Sequence, residues 1–167
     1  MIVLVGGLPG SGKTYFASRL AKRIKAQCIS SDKVRKTLHA LGKHSLEDKL
    51  AVYKELVIMA SSELKLSRIV VIDATFSHRD MRTILVELAK SLSQPLCLLW
   101  IYAAEDLIKK RIAGPRENSE ADFKVYEKIR DQFQPIDIPH LTIESRDNNI
   151  EDMLKQGEDY ILNYERT

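Results

Sequence analysis

Cysteine is scarce in this chain. Cys28 and Cys97 are the only two among 167 residues. No CxxC pair or Cys/His cluster accompanies them, and His39, His44, His78 and His140 show no ligand spacing, so zinc sites and disulfide scaffolds are set aside. Both cysteines lie in apolar surroundings and read as reduced, buried thiols, which fits a cytoplasmic location. Long apolar runs are missing too. The longest, Leu96 to Ala104, covers 9 residues, against roughly 20 for a bilayer crossing, so no membrane partner is expected. The N-terminus has no basic residue before Met1, Ile2, Val3, Leu4 and Val5 and then reaches glycine at once, unlike a secretory signal. One Trp and four Phe leave little surface for base stacking. With no repeat, linker or low-complexity tract, residues 1–167 read as a single domain.

What is present fits a globular protein: 44% hydrophobic and 29% charged residues, with a net charge of +3. The small net charge averages unequal parts. Met1 to Lys43 holds nine Lys or Arg against one acid, Asp32, whereas Ser145 to the end holds three basic residues against six acids. The basic quarter is either a solvated face or an attraction for a polyanion such as ATP or nucleic acid.

Residues 2–5, 68–72 and 96–102 are near-continuous Val/Ile/Leu runs, as expected of parallel strands covered on both faces. Gln27 to Ser30 and His140 to Glu144 are shorter candidates. Between them lie helical patterns: Phe16, Leu20 and Ile24, then Leu46, Leu50, Tyr53, Val57, Ala60 and Leu64. Ser45 with Asp48, Ser77 with Asp80, and Ser119 with Asp122 place a hydroxyl three residues before an acid, a looser capping box at each helix start. The alternation predicts an α/β fold: a three-layer P-loop NTPase domain with a central parallel sheet and a small lid at about 109–120, broken by Gly114 and Pro115.

Four of the seven glycines fall between positions 6 and 12, in Gly6-Gly7-Leu8-Pro9-Gly10-Ser11-Gly12-Lys13-Thr14. This satisfies G-x-x-x-x-G-K-[ST] between a strand and an amphipathic helix. The glycines let successive amides face phosphate, Lys13 reaches the β and γ phosphates, Thr14 offers its hydroxyl to Mg²⁺, and the helix adds its dipole. Nucleotide contacts are therefore expected from Gly7, Pro9, Gly10, Ser11, Gly12, Lys13, Thr14 and Tyr15, with ATP and Mg²⁺ as cofactors.

No Asn is followed by Lys, which removes the N-K-x-D guanine signature, and the chain is short for a ring-forming ATPase motor. A compact phosphotransferase fits better. In open α/β sheets, ligands bind beyond the carboxyl ends of strands. After the second strand comes Ser31-Asp32-Lys33-Val34-Arg35, where either a carboxylate holds an acceptor hydroxyl and an arginine holds the acceptor's own anion, or Asp32 caps the helix and Arg35 lies in solvent. The third strand ends at Asp73, suited to Mg²⁺ beside Thr14. The polar turn after it, with Arg82, is expected to touch the acceptor. Lys109, Lys110, Arg111 and Arg116 suit a lid closing over the transferring phosphoryl group, with Arg111 and Arg116 as candidate catalytic arginines.

Gly7 to Thr14, Ser31 to Arg35, Val71-Ile72-Asp73-Ala74-Thr75-Phe76 and Lys110-Arg111 together resemble the polynucleotide 5′-hydroxyl kinase domain and its relatives, including zeta-toxin-like and small P-loop kinases of the AAA_33 type. The likeness runs from about Val3 to Pro135. It implies that Asp32 is the general base, that Arg35 binds the acceptor's phosphate, that Asp73 belongs to the active site, and that Arg111 or Arg116 belongs to the lid. Where polynucleotide kinases have Asp-Thr-Asn or a similar polar run, this chain has Asp73-Ala74-Thr75-Phe76. The acceptor is either a nucleic acid 5′ end or a small metabolite or antibiotic; the Gly-Gly-Gly stretch of shikimate kinase is absent. A nucleotide-responsive binding module without transfer activity is the alternative class. The number of copies is open.

Overall fold

The computed structural model describes residues 1–39, 45–66, 68–113 and 123–165. Five strands, β1 (Ile2–Gly6), β2 (Gln27–Ser30), β3 (Val70–Asp73), β4 (Leu96–Tyr102) and β5 (His140–Glu144), form one sheet in the order β2-β3-β1-β4-β5. Every pairing is parallel, as the continuous apolar runs predict. β3 starts at Val70 rather than at residue 68, because the Arg68 amide turns back to the Glu63 carbonyl (3.3 Å) and its guanidinium pairs with the Glu63 carboxylate (2.9 Å).

The helices are α1 (Lys13–Arg23), α2 (Ser31–Thr37), α3 (Leu46–Lys65), α4 (Arg79–Ser91), α5 (Glu105–Ile112), α6 (Phe123–Asp131) and α7 (Ile150–Glu165). Alternate residues of each strand face opposite sides. Ile2, Leu4, Ile72 and Leu98 pack with Leu56, Ala60 and Leu85 of α3 and α4 on one face. Val3, Val5, Val71, Leu99 and Ile101 pack with Phe16, Leu20, Met153 and Leu154 of α1 and α7 on the other. Each fully buried Leu, Ile or Phe contributes about 1.5–3 kcal/mol. The result is three layers, with every strand ending on the same edge.

Helix starts follow the sequence unevenly. α3 begins with the expected capping box: the Asp48 amide donates to Ser45 Oγ and the Ser45 amide to Asp48 Oδ2, both at 3.1 Å. α4 does not begin at Ser77. His78 is its N-cap and makes no side-chain cap bond, because a distant residue does the capping. The Arg79 amide donates to Gln134 Oε1 (2.5 Å), and the Gln134 amide donates to the Ser77 carbonyl (2.9 Å). The Ser119/Asp122 pair and the Gly114/Pro115 break lie outside the described residues. Part of the charge asymmetry is settled internally, since Arg23 of α1 pairs with Glu151 (2.8 Å) and Glu158 (2.9 Å) of α7. Exposed pairs of this kind add little stability.

Candidate active site

The glycine-rich segment links β1 to α1 at the carboxyl edge of the sheet. Gly12 is the N-cap of α1 at φ 92° and offers no side chain to the first turn, so the amides there keep their donor capacity for an anion. Gly10, at φ 81°, is pressed by α5: a Cβ there would lie 2.9 Å from Ile108 Cγ2. Both positions therefore require glycine on backbone and space alike. Ser11 is buried and its Oγ has no hydrogen-bond partner among the described residues.

Asp73, the last residue of β3, stands opposite Val5 of β1 and Ser30 of β2. It is 2% exposed. Burial pushes its carboxyl above the usual range, while Lys13 and hydrogen bonds from Thr14 and Ser30 pull the other way. One carboxylate oxygen, Oδ1, has no hydrogen-bond partner among the described residues. A buried oxygen without a donor, beside a hydroxyl and an ammonium, is the donor set that a hard divalent cation with phosphate ligands completes. The residues thus fit Mg²⁺ held between Thr14 and Asp73.

β2 ends at Ser30, which is the extended N-cap of α2 and places Asp32 in the first turn of that helix. The negative charge of Asp32 reaches Asp73 and opposes its ionisation. The two carboxylates are thus neighbours beyond the ends of β2 and β3, Asp73 deep and Asp32 half-buried. Arg35 follows one turn later, near enough to Lys49 and Tyr53 of α3 for its charge to act on both.

Arg111, in the last turn of α5, is half-buried against the back of the loop. It donates to the Ser11 carbonyl (3.2 Å) and to Ser145 Oγ (3.0 Å), and its burial holds the guanidinium below its usual range. It lines a cleft of about 400 Å³ together with Gly12, Tyr15, and residues 145–150 and 153 of the β5–α7 turn and α7. Tyr15 is 53% exposed there, and the Arg19 guanidinium lies 3.4 Å from its ring centroid. The turn is locked: the Arg146 amide donates to Asn149 Oδ1 and Asn149 Nδ2 donates to the Glu144 carbonyl, both at 2.9 Å. Arg116 and most of the 109–120 segment lie outside the described residues.

Arg82 does not reach the site opening. It is 1% exposed and donates to the carbonyls of Phe76 (2.8 Å), Gln134 (3.3 Å) and Pro135 (2.6 Å), with Asp137 Oδ1 at 3.3 Å. It ties the turn after β3, where Phe76 has φ 52°, to the segment after α6. Arg82→Met strands the buried Phe76 carbonyl and loosens two part-buried ones, and is expected to cost about 2 kcal/mol in urea unfolding.

The β5–α7 turn is the part of the site that sequence reasoning missed. Ser145-Arg146-Asp147-Asn148-Asn149 has no fingerprint, yet it is a polar turn at the carboxyl end of a parallel strand, the position the strand-end rule singles out.

The carboxyl ends of β1, β2, β3 and β5 thus meet in one arrangement around the glycine-rich turn. The same arrangement is recognisable in other proteins. The family model described as AAA domain, AAA_33, matches residues 2–136. An uncharacterised protein of Mycobacterium bovis is 30% identical over 137 residues, which is 74% of this chain but 28% of that protein. The chain therefore spans little more than a quarter of that relative. Among solved structures, an unliganded sugar kinase from a Janibacter species superposes with a TM-score of 0.76 at 16% identity, covering 96% of this chain and 93% of that one. The Mycobacterium tuberculosis APS kinase in complex with AMPPNP and APS gives 0.74 at 18% identity and covers 96% of each chain. By the match across most of its length, the chain belongs to the AAA_33 family, on a five-stranded parallel-sheet fold shared with P-loop kinases.

Proposed function

We propose that the protein is an ATP-dependent phosphotransferase that moves the γ-phosphoryl group to an acceptor hydroxyl. The observation that supports this most is the pairing of two carboxylates beside the loop. Asp73 is buried beside Thr14 with one carboxylate oxygen left open, and Asp32, near enough for its charge to act on Asp73, has solvent access. A nucleotide-responsive module needs the first and has no task for the second.

In this reading the loop amides from Gly7 to Thr14 and the Lys13 ammonium hold the β and γ phosphates and offset charge that spreads over the equatorial oxygens in the transition state. Thr14 and Asp73 hold Mg²⁺, which neutralises phosphate charge when bound. Asp32 orients the acceptor hydroxyl and takes its proton, and Arg35 holds the acceptor's anion. The cleft between Tyr15, Arg111 and the β5–α7 turn takes the nucleoside, and Arg111 keeps the loop in place from behind. Arg116 is the arginine left for the phosphoryl group. Arg111→Met is expected to raise the KM for ATP about tenfold with little change in kcat, the mark of lost ground-state binding.

The resemblance of the motifs supports a polynucleotide 5′ end as acceptor; the likeness to a sugar kinase supports a small alcohol. The test is to supply γ-labelled ATP and Mg²⁺ with a 5′-hydroxyl oligonucleotide, tRNA and a metabolite extract. Label in a phosphate ester supports the proposal. Label released only as inorganic phosphate contradicts it.

A further inference from the structure

The one Trp and one of the four Phe meet on the sheet. Trp100 and Tyr102 follow Leu98 on the β4 face that carries α3 and α4, but Leu98 is fully buried, whereas Trp100 is half-buried and Tyr102 is exposed. Phe133, just after α6, lies against the indole with ring centroids 5.0 Å apart. Together with Ile136, and with His140 and Thr142 of the edge strand β5, these rings line an open groove of about 430 Å³. It shares no residue with the cleft beside Tyr15. Adjacent strands lie about 4.8 Å apart, which puts the groove roughly 15–20 Å across the sheet from Asp32, beyond the end of β2.

The indole is turned in a definite direction. A Cβ on Gly6 would lie 2.7 Å from Trp100 Cε3 and 2.9 Å from Cζ3, so the benzo edge rests on the β1 backbone and glycine is needed to admit it. The pyrrole edge, with its Nε1–H donor, therefore faces the other way, toward Thr142, the register partner of Trp100 on β5. His140 Nδ1 donates to the Ile138 carbonyl at 3.0 Å, a bond that requires the proton on Nδ1 and leaves Nε2 of the neutral ring as an acceptor. The Tyr102 hydroxyl is taken by Glu144, which itself pairs with Arg146. Among the described residues, the indole N–H, the imidazole Nε2 and the Thr142 hydroxyl have no hydrogen-bond partner.

These features select a class of ligand. No Lys, Arg, Asp or Glu lines the groove, so a charged group would find no counter-charge there. An aliphatic chain would cover a donor and an acceptor without pairing either. A flat ring with donors and acceptors on its rim meets both demands, because it stacks on the aromatic faces and bonds at its edge. We infer that the groove is a second ligand site, for an uncharged nitrogen heterocycle of the nucleobase kind. A base in a nucleic acid strand and a free nucleoside share that chemistry. Bases on one strand are spaced about 3.4 Å apart along a duplex axis, so a base held here belongs to a nucleotide several positions from any hydroxyl at Asp32, or to a separate molecule. The inference does not rest on the phosphotransferase reading, since no residue of the groove takes part in that chemistry.

Trp100 is the only tryptophan, so tryptophan fluorescence reads this groove and no other part of the chain. Protein incubated with a nonhydrolysable ATP analogue and Mg²⁺ is titrated with adenosine, with a 5′-hydroxyl oligoadenylate, and with the same strand made abasic. Saturable quenching is expected. Quenching by adenosine marks a free nucleoside as the source of the ring, and quenching by the oligoadenylate alone marks a strand; either supports the site. In the His140→Ala/Thr142→Val double variant, which changes two exposed side chains and leaves the core intact, the affinity for the quenching ligand falls about tenfold while the ATP analogue binds as before. Absence of saturable quenching, quenching by the abasic strand equal to that by the intact one, or quenching that ignores both substitutions overturns the inference. A dimer in analytical ultracentrifugation that the double variant abolishes overturns it too, because a second copy then covers the groove. Each of these results leaves the phosphotransferase reading standing; that reading falls with the label-transfer experiment, which in turn leaves the groove untouched.

Discussion

Asp32→Asn is expected to lower phosphoryl transfer about 10³-fold while leaving nucleotide affinity within about twofold. The asparagine keeps the size and polarity of the side chain in the first turn of α2 but cannot take a proton from an attacking hydroxyl. The backbone around it does not depend on the carboxylate, since Ser30 makes the N-cap without a side-chain bond. Nothing in the loop is altered, because the proposed phosphate contacts, Lys13 and the loop N–H groups, lie on the α1 side. Lys13→Met is the contrast: it removes affinity and transfer together. Equilibrium binding of a fluorescent ATP analogue, measured beside single-turnover transfer, separates the two cases. Loss of nucleotide binding in Asp32→Asn would move this residue from the acceptor side to the nucleotide side.

Asp73→Asn is expected to stabilise the nucleotide-free protein and to disable it. The wild-type carboxyl is 2% exposed with one oxygen unpartnered, and burial outweighs the help from Lys13, Thr14 and Ser30 in raising its pKa. The direction of the pH effect follows from that rise. In the unfolded chain the carboxyl ionises in its ordinary range near ~3.9, whereas in the folded protein it holds its proton to higher pH. Between those two values the folded state binds more protons, so stability falls as pH rises through the window. An amide removes this penalty. The melting temperature of Asp73→Asn without nucleotide is expected to exceed wild type by about 4 °C at pH 7, and the gap narrows as pH falls toward the ordinary carboxylate range. With Mg²⁺ and an ATP analogue the order reverses, since the open oxygen then has its cation, and transfer by the variant drops about 100-fold. A variant less stable than wild type without nucleotide would mean that Asp73 serves the sheet and not a metal.

Much of this fold was legible because parallel strands and the phosphate loop write their requirements into consecutive residues. Val/Ile/Leu runs mark strands buried on both faces, and Gly10 and Gly12 occupy positions where φ is positive and α5 or Ser145 is close. The order of the motifs placed Asp32 and Asp73 at the ends of β2 and β3. What was illegible depends on residues far apart in sequence. The start of α4 is set by Gln134, 55 positions from Arg79, so the local Ser77/Asp80 pattern misplaced it. Arg82 follows a polar turn and looks like a substrate contact, yet carbonyls from residues 134 and 135 enclose it. The cleft beside Tyr15 needs Arg111 to meet Ser145 across 34 positions, and neither residue type signals this alone. The family model stops at residue 136, before the β5–α7 turn that completes the cleft.

The most direct test of the whole arrangement is a crystal grown with a nonhydrolysable ATP analogue and Mn²⁺ in place of Mg²⁺, read by anomalous scattering. The triphosphate is expected along residues 7–14, with a manganese peak between Thr14 and Asp73 and Asp32 facing the terminal phosphate. A peak elsewhere with the loop empty, or Asp32 turned away from the terminal phosphate, would contradict it.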